Sequence, residues 1–103
     1  MSQIPVVLLD AVREDVQTAY DYFDTRVGRT GDRFLARFLS TLDRLGRHPQ
    51  AFPVKFDDYR RALVPRCNIA VYYFIEPDRL VVVAAIDARR DPRTIRAFVR
   101  DRR

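Results

Sequence analysis

The apolar residues of this chain change their spacing along its length, and each spacing predicts a different element. Residues 4–9 form a short apolar run rich in β-branched side chains, which predicts a strand. Asp10 follows in the place of a helix N-cap, and from residue 11 to Val27 the apolar positions recur at steps of three and four. We therefore expect a strand followed directly by an amphipathic helix.

The helical spacing resumes after a short connection. Residues 28–31, Gly-Arg-Thr-Gly, interrupt the pattern, and Thr30 stands where it can cap a second helix. The second apolar stripe runs from Phe34 to Leu45, and Pro49 lies just beyond its end. Because so short a connection permits little else, the two helices must run antiparallel as a hairpin.

The segment after the hairpin, residues 50–59, has no clean period and contains a proline. We expect an ordered loop there, with Phe52 and Phe56 packed inward. Strand character begins with residues 60–64, which predict the first of three consecutive strands.

The next two strands form a predicted hairpin. Residues 68–76 consist almost entirely of Ile, Val, Tyr and Phe, and residues 76–79, Glu-Pro-Asp-Arg, favour a turn with proline at its second position. The return strand, residues 80–86, is unbroken apolar. Such a run is typical of a strand buried on both faces, so we expect it at the centre of the sheet.

Pro92 opens a predicted short final helix in which Ile95, Phe98 and Val99 face inward. The order of elements predicts one α+β domain over residues 1–103. It consists of an N-terminal strand, an antiparallel helical hairpin packed on a mainly antiparallel four-stranded sheet, and a short C-terminal helix.

Charge is distributed unevenly along the chain. The 103 residues include 19 Lys or Arg and 14 Asp or Glu, a net charge of +5. The two signs balance over residues 1–88, so the whole excess lies in residues 89–103, with seven Arg and two Asp. Four arginines of this segment follow one another at steps of three and four and predict one exposed basic stripe: Arg93, Arg96, Arg100 and Arg103. Such a stripe suits an acidic protein surface or a phosphate backbone.

Other function classes are excluded by residue counts. Cys67 is the single cysteine and His48 the single histidine, so an internal disulfide and a soft-ligand zinc site are excluded. No stretch approaches the roughly 20 apolar residues of a membrane helix. We expect a cytoplasmic protein with no metal, no cofactor and no membrane contact.

Five segments, in this order and at this spacing, carry a resemblance to a known family. They are residues 19–23 (Ala-Tyr-Asp-Tyr-Phe), the helix end from Leu45 to Pro49, residues 60–63 (Arg-Arg-Ala-Leu), residues 71–76 (Val-Tyr-Tyr-Phe-Ile-Glu) and residues 84–92 (Ala-Ala-Ile-Asp-Ala-Arg-Arg-Asp-Pro). Together they resemble the RelE/ParE toxins of bacterial type II toxin–antitoxin systems. The resemblance implies a toxin held inactive by an antitoxin whose C-terminal segment folds on its surface. It also implies one of two activities: ribosome-dependent cleavage of messenger RNA, or inhibition of DNA gyrase by the ParE branch.

The chemistry of RNA cleavage separates these activities. Cleavage needs a base, an acid and cations near the phosphate. Arg60, Arg61 and Arg90 offer cations, but Asp87 stands where many nuclease relatives have His, and a carboxylate with a pKa of about 4 cannot donate a proton at pH 7. Asp87 can instead pair with Arg89 or Arg61. The chain is more similar to the ParE branch, for which we expect no catalytic residue. A ribosome-dependent nuclease and a non-toxic relic that only binds its antitoxin stay open as alternatives.

Two sets of binding residues follow from this interpretation. Five arginines are predicted to contact acidic gyrase surface or nearby DNA: Arg89, Arg90, Arg93, Arg96 and Arg100. The hairpin and the sheet together have more apolar surface than a small domain covers, so an amphipathic segment of an acidic, ParD-like antitoxin is expected on it. Its predicted contacts are the aromatic residues Tyr20, Tyr22, Phe23, Phe52 and Phe56.

Overall fold

The computed structural model of the chain describes residues 3–103, which form three helices and one five-stranded sheet. In chain order the elements are β1 (Val6–Leu8), α1 (Asp10–Thr25), α2 (Gly31–Arg47), β2 (Val54–Phe56), β3 (Tyr59–Val64), β4 (Ile69–Ile75), β5 (Leu80–Asp87) and α3 (Pro92–Asp101). The strand order is β1-β5-β4-β3-β2, with β1 parallel to β5 and every other pair antiparallel. The α+β class, the helical hairpin and the mainly antiparallel sheet are confirmed.

The sheet differs from the expectation in two respects. The segment expected to be a loop contains β2, where Val54 pairs with Arg60 and Phe56 with Tyr59, so the sheet has five strands rather than four. Asp57 adopts a left-handed φ of 52° and lets the chain reverse at once into β3. Three residues are too few to show a period. The strand at the middle of the sheet is β4, and β5 lies next to it. The position beside the middle is enough for burial of β5 on both faces, because helices cover both sides of the sheet there.

The helix ends also differ in detail. Asp10 is the first residue of α1 and not its N-cap, and its carboxylate makes no capping hydrogen bond. Val27 lies beyond the end of α1 and is 51% exposed. Thr30 is the N-cap residue of α2, but its hydroxyl donates to the carbonyl oxygen of Phe23 at 3.0 Å. The Thr30 side chain therefore joins the end of α1 to the start of α2 instead of capping α2.

The sheet separates two apolar cores. The helices α1 and α2 cover one side of the sheet, which we call the hairpin face, and Phe34 and Tyr73 are buried there. The third helix covers the opposite side, the α3 face, where Ile95 and Val99 pack near Tyr72. The two adjacent tyrosines thus point to opposite faces, as strand alternation predicts.

A β-bulge in β5 changes which of its residues face the hairpin. Residues 72–73 of β4 lie opposite Ala84 and Val82, which leaves Val83 without a partner on β4. As a result Val82 before the bulge and Ala85 after it both belong to the hairpin-face core. The sequence of β5 does not predict this bulge, because an unbroken apolar run has the same pattern with or without it. The pairing with β4 determines where the bulge lies.

Candidate functional site

The segment between β5 and α3 is held by the carboxylate of Asp87. Its Oδ1 accepts hydrogen bonds from the backbone N–H of Arg89 at 2.8 Å and from Nε of the same residue at 3.0 Å. Its Oδ2 accepts from the Arg89 Nη2 at 3.0 Å. The side-chain hydrogen bond from Arg89 is the main reason that the pKa of Asp87 is lowered. Of the two partners considered for Asp87, the structure therefore contains Arg89 and not Arg61.

The helix α3 begins at Pro92, as the sequence predicts, and Asp91 caps its first turn. The side chain of Asp91 accepts a hydrogen bond from the backbone N–H of Arg93 at 2.8 Å, and Pro92 occupies the first turn. The guanidinium of Arg93 is 87% exposed and 4.0 Å from the nearest oxygen of Asp91, too far for a hydrogen bond. Within residues 3–103, neither Arg90 nor Arg96 has an acidic partner. The start of α3 therefore presents three arginines with no acidic hydrogen-bond partner, of which Arg93 has one long contact with Asp91.

The arginines at the other end of α3 are tied down. Arg100 forms a two-pronged ion pair with Asp57, with N–O distances of 2.8 and 2.9 Å. Arg103, which lies beyond the end of α3, donates to Asp58 at 2.7 Å, and its guanidinium lies 3.6 Å from the centre of the Phe74 ring. Both acids belong to the turn between β2 and β3. The basic stripe expected from the spacing is thus divided into a free half and a half that holds the C-terminus to the sheet.

The four residues of the nuclease alternative, Arg60, Arg61, Arg90 and Asp87, do not lie in one site. Arg60 and Arg61 point to opposite faces of β3, and Arg60 donates to the carbonyl oxygen of Phe52 at 2.6 Å. The register of β3, β4 and β5 puts Arg61 about 10 Å along the strands and two strand spacings from Asp87, about 14 Å in all. Arg90 lies beside Asp87, but Arg60 and Arg61 do not join them in one cluster.

A cleft of about 400 Å³ opens where α1, the β3–β4 turn and the β5–α3 segment meet. Arg89 and Arg90 line it on one side and Tyr22 of α1 on another. The pKa of Arg89 is raised first by the hydrogen bond to Asp87 and further by the nearby hydroxyl of Tyr22. Tyr22, predicted to bind the antitoxin, is thus brought beside two residues predicted to bind the target.

The structure does not bring the five predicted antitoxin residues into one patch. Phe23 packs against the hairpin-face core, and Tyr22 is 48% exposed at the cleft. Phe52 lies on the hairpin face and Phe56 on the α3 face, both partly buried, so the sheet separates them. Only Tyr20 lines an apolar groove on the surface.

That groove, of about 480 Å³, was missed from the sequence. Its floor consists of aliphatic and aromatic residues from β1, α1 and α2: Leu8, Val12, Val16, Leu35 and Phe38. At its rim the hydroxyl of Tyr20 donates to Asp32 at 2.7 Å, which raises the pKa of Tyr20 to about 12. The signal in the sequence was the four-residue repeat of Val12, Val16 and Tyr20, which puts these three residues on one side of α1.

Over the part of the chain that the structure describes, no three His, Cys, Asp or Glu side chains are grouped so that they could hold a metal ion. None of the helices described is long and apolar enough to cross a membrane.

Comparison with known proteins identifies the family. Residues 6–92 match the family described as "ParE toxin of type II toxin-antitoxin system, parDE". The chain belongs to the ParE toxin family. Membership of a toxin–antitoxin family implies an antitoxin partner, and the resemblance noted in the sequence is confirmed. The match contains the hairpin, the whole sheet and Arg89–Arg90, but it ends where α3 begins, so the arginines of α3 lie outside it.

The fold of this ParE-family chain also occurs among solved structures. It is similar to a chain of the structure titled "Chromosomal ParDE TA system from P. aeruginosa", with a TM-score of 0.62 and 10% sequence identity. The similarity covers 82% of this chain and 96% of the other. At this identity the likeness shows the fold alone. No curated protein matches the sequence.

Proposed function

We propose that this ParE-family chain arrests growth by binding and inhibiting DNA gyrase, and that a cognate antitoxin keeps it inactive. The observation that carries the proposal is the set of free arginines at the start of α3, namely Arg90, Arg93 and Arg96. A guanidinium binds carboxylate or phosphate through two parallel hydrogen bonds, which suits an acidic gyrase surface or the DNA that gyrase holds. Arg89 is exposed too, but Asp87 already occupies its guanidinium.

The nuclease alternative has weaker support. Arg61 and Asp87 are about 14 Å apart across the sheet. Arg60 is engaged by the loop before β2, and the pKa of Asp87 is lowered. A lowered pKa makes Asp87 a poorer general acid at neutral pH and a weaker base. Inhibition by binding needs none of these groups.

A supercoiling assay with purified gyrase tests the proposal when it is run beside a ribosome toeprinting assay. We expect the parent protein to inhibit supercoiling and to cause no cuts in messenger RNA on the ribosome. The variant carrying Arg90→Ala, Arg93→Ala and Arg96→Ala should lose inhibition. Cuts at the ribosomal A site with undisturbed supercoiling would establish the nuclease instead.

A matched control separates local contacts from total charge. The variant carrying Arg26→Ala, Arg29→Ala and Arg33→Ala removes an equal number of charges from the end of α1, the connection and the first turn of α2, where all three residues are exposed. We expect it to inhibit gyrase as the parent does. If both triple variants lose inhibition equally, the target senses net charge and the proposed contact residues are wrong.

For the antitoxin we propose a docking place different from the aromatic set predicted from the sequence. The apolar groove beside β1 fits an amphipathic segment, with Leu8, Val16 and Leu35 as its accessible apolar lining and Arg13 at its rim for an acidic side chain. Tyr20 is the one member of the predicted set that remains in this interface.

Two exposed leucines test the groove. Leu8 lines it and is 37% exposed, whereas Leu39 lies on α2 outside the groove lining and is 55% exposed. Leu8→Arg should weaken antitoxin binding by about tenfold or more, because it puts a charge into an apolar contact, and should leave growth arrest intact. Leu39→Arg should change neither property. Equal antitoxin affinity for the two variants would exclude the groove.

A further inference from the structure

One ion pair of this chain is much more buried than the others in the described residues. Asp15 of α1 and Arg102, the C-cap residue of α3, have side chains that are 9% and 17% exposed. The guanidinium donates from Nη1 to Oδ2 at 2.5 Å and from Nη2 to Oδ1 at 2.8 Å. Such a two-pronged pair fixes the relative orientation of two planar groups as well as their distance.

The same pair completes the edge of β5 where β1 stops. The strand β1 pairs only with residues 80–82 of β5, and the chain then turns into α1. Beyond that point the carbonyl oxygen of Val83 accepts from Nη1 of Arg102 at 3.0 Å, and the backbone N–H of Ala85 donates to Oδ2 of Asp15 at 3.0 Å. Two side chains thus satisfy backbone groups at the β-bulge that a longer β1 would otherwise bind.

This arrangement restricts how α3 can lie on the sheet. In α3, Ile95 and Val99 are buried and Phe98 is partly buried against the same core. Apolar packing is non-directional and by itself leaves the helix some freedom to roll about its axis. Arg102 removes that freedom, because it must reach both Asp15 and the bulge, and its guanidinium also lies 4.2 Å from the centre of the Phe98 ring. The other ion pairs near the end of α3 are more exposed and contact a turn rather than the sheet edge.

We propose that Arg102 is a positioning residue, which through Asp15 and the β5 bulge fixes the rotation of α3 and so presents Arg93 and Arg96 to the target. The proposal rests on the proposed function, because it requires those two arginines to contact the target. It also explains why a chain with seven arginines in its last 15 residues uses one of them inside the fold.

A charge-preserving substitution tests this positioning. Arg102→Lys keeps the positive charge but cannot form two parallel hydrogen bonds to Asp15 and a third to the bulge. We expect about tenfold more protein to be needed for half-inhibition of gyrase, the equivalent of one lost charge-assisted contact, with antitoxin affinity unchanged. The matched control is Arg103→Lys at the exposed pair with Asp58, which should inhibit as the parent does.

A double-mutant cycle distinguishes positioning from general stability. The double variant Arg93→Ala, Arg96→Ala should keep the part of the inhibition that Arg90 supports. In this background Arg102→Lys should cause no further loss of that residual inhibition, because the residues that it positions are absent. A residue that only stabilises the fold would lower inhibition equally in both backgrounds, and that result would overturn the proposal. So would a single Arg102→Lys variant that inhibits as well as the parent. All comparisons are made at a temperature at which circular dichroism shows every variant folded.

The failure of the proposed function has a different signature. If the parent protein does not inhibit gyrase, that function is wrong, and the same cycle is run with growth arrest in cells as the readout. Non-additivity between Arg102→Lys and the Arg93→Ala, Arg96→Ala pair then supports positioning toward another target. Additive effects overturn it.

Discussion

The hydroxyl of Tyr73 offers a sharp test of how the hairpin face is held together. Tyr73 is completely buried, and its hydroxyl donates to the carbonyl oxygen of Pro49 at 2.7 Å, which ties β4 to the segment after α2. Tyr73→Phe keeps the ring and the packing but removes the donor. The loss of one hydrogen bond to a partly buried acceptor should lower the free energy of unfolding by about 1–2 kcal/mol. For a domain of this size that lowers Tm by roughly 5–15 °C.

The neighbouring tyrosine is a matched control for this substitution. Tyr72 is 3% exposed on the opposite face, and its hydroxyl has no hydrogen-bond partner within the described residues. Tyr72→Phe should therefore change stability by less than about 0.5 kcal/mol. Urea unfolding followed by circular dichroism measures both variants. If Tyr73→Phe unfolds at the same urea concentration as the parent, or if the two variants lose equal stability, the bond to Pro49 does not hold this segment.

Three further outcomes follow from contacts in the structure. Gly31→Ala should lower the free energy of unfolding in urea by about 1–3 kcal/mol, although alanine favours helix more than glycine does. The reason is that the added Cβ would lie 2.8 Å from Oδ1 of Asp24 and 2.9 Å from Cζ of Tyr20. A stabilised variant would contradict this contact. The pKa of Tyr20 is raised from 10.0 to about 12, first by its hydrogen bond to Asp32. The phenol therefore ionises at a lower pH in the unfolded chain than in the folded one, and the free energy of unfolding should fall between pH 10 and pH 12. Tyr20→Phe should reduce that fall, and an unchanged slope of the urea midpoint against pH would refute it. Arg60→Ala should lower Tm through lost hydrogen bonds to the loop while growth arrest per folded protein persists, whereas loss of growth arrest with an unchanged Tm would favour the nuclease.

The elements that could be predicted are those whose signal is local. The stripes of α1 and α2 repeat over four or more turns, and the apolar runs of β4 and β5 are long, so short-range periodicity identifies them. The bulge at Val83 and the three residues of β2 carry no comparable signal. Both depend on which strand lies beside them, and pairing partners are set by the whole sheet.

The candidate site divides in the same way. The sequence shows an excess of arginine in the last 15 residues and the Arg89–Arg90 segment of the family pattern, and these are properties of neighbours along the chain. It does not distinguish one arginine from another. Arg100 and Arg102 are separated from Asp57 and Asp15 by 43 and 87 positions, and only the folded chain brings each pair within hydrogen-bond distance. The family and the positive charge were therefore determined by the sequence. The tertiary structure decided which arginines hold the fold and which remain free, because ion pairing depends on distance in space.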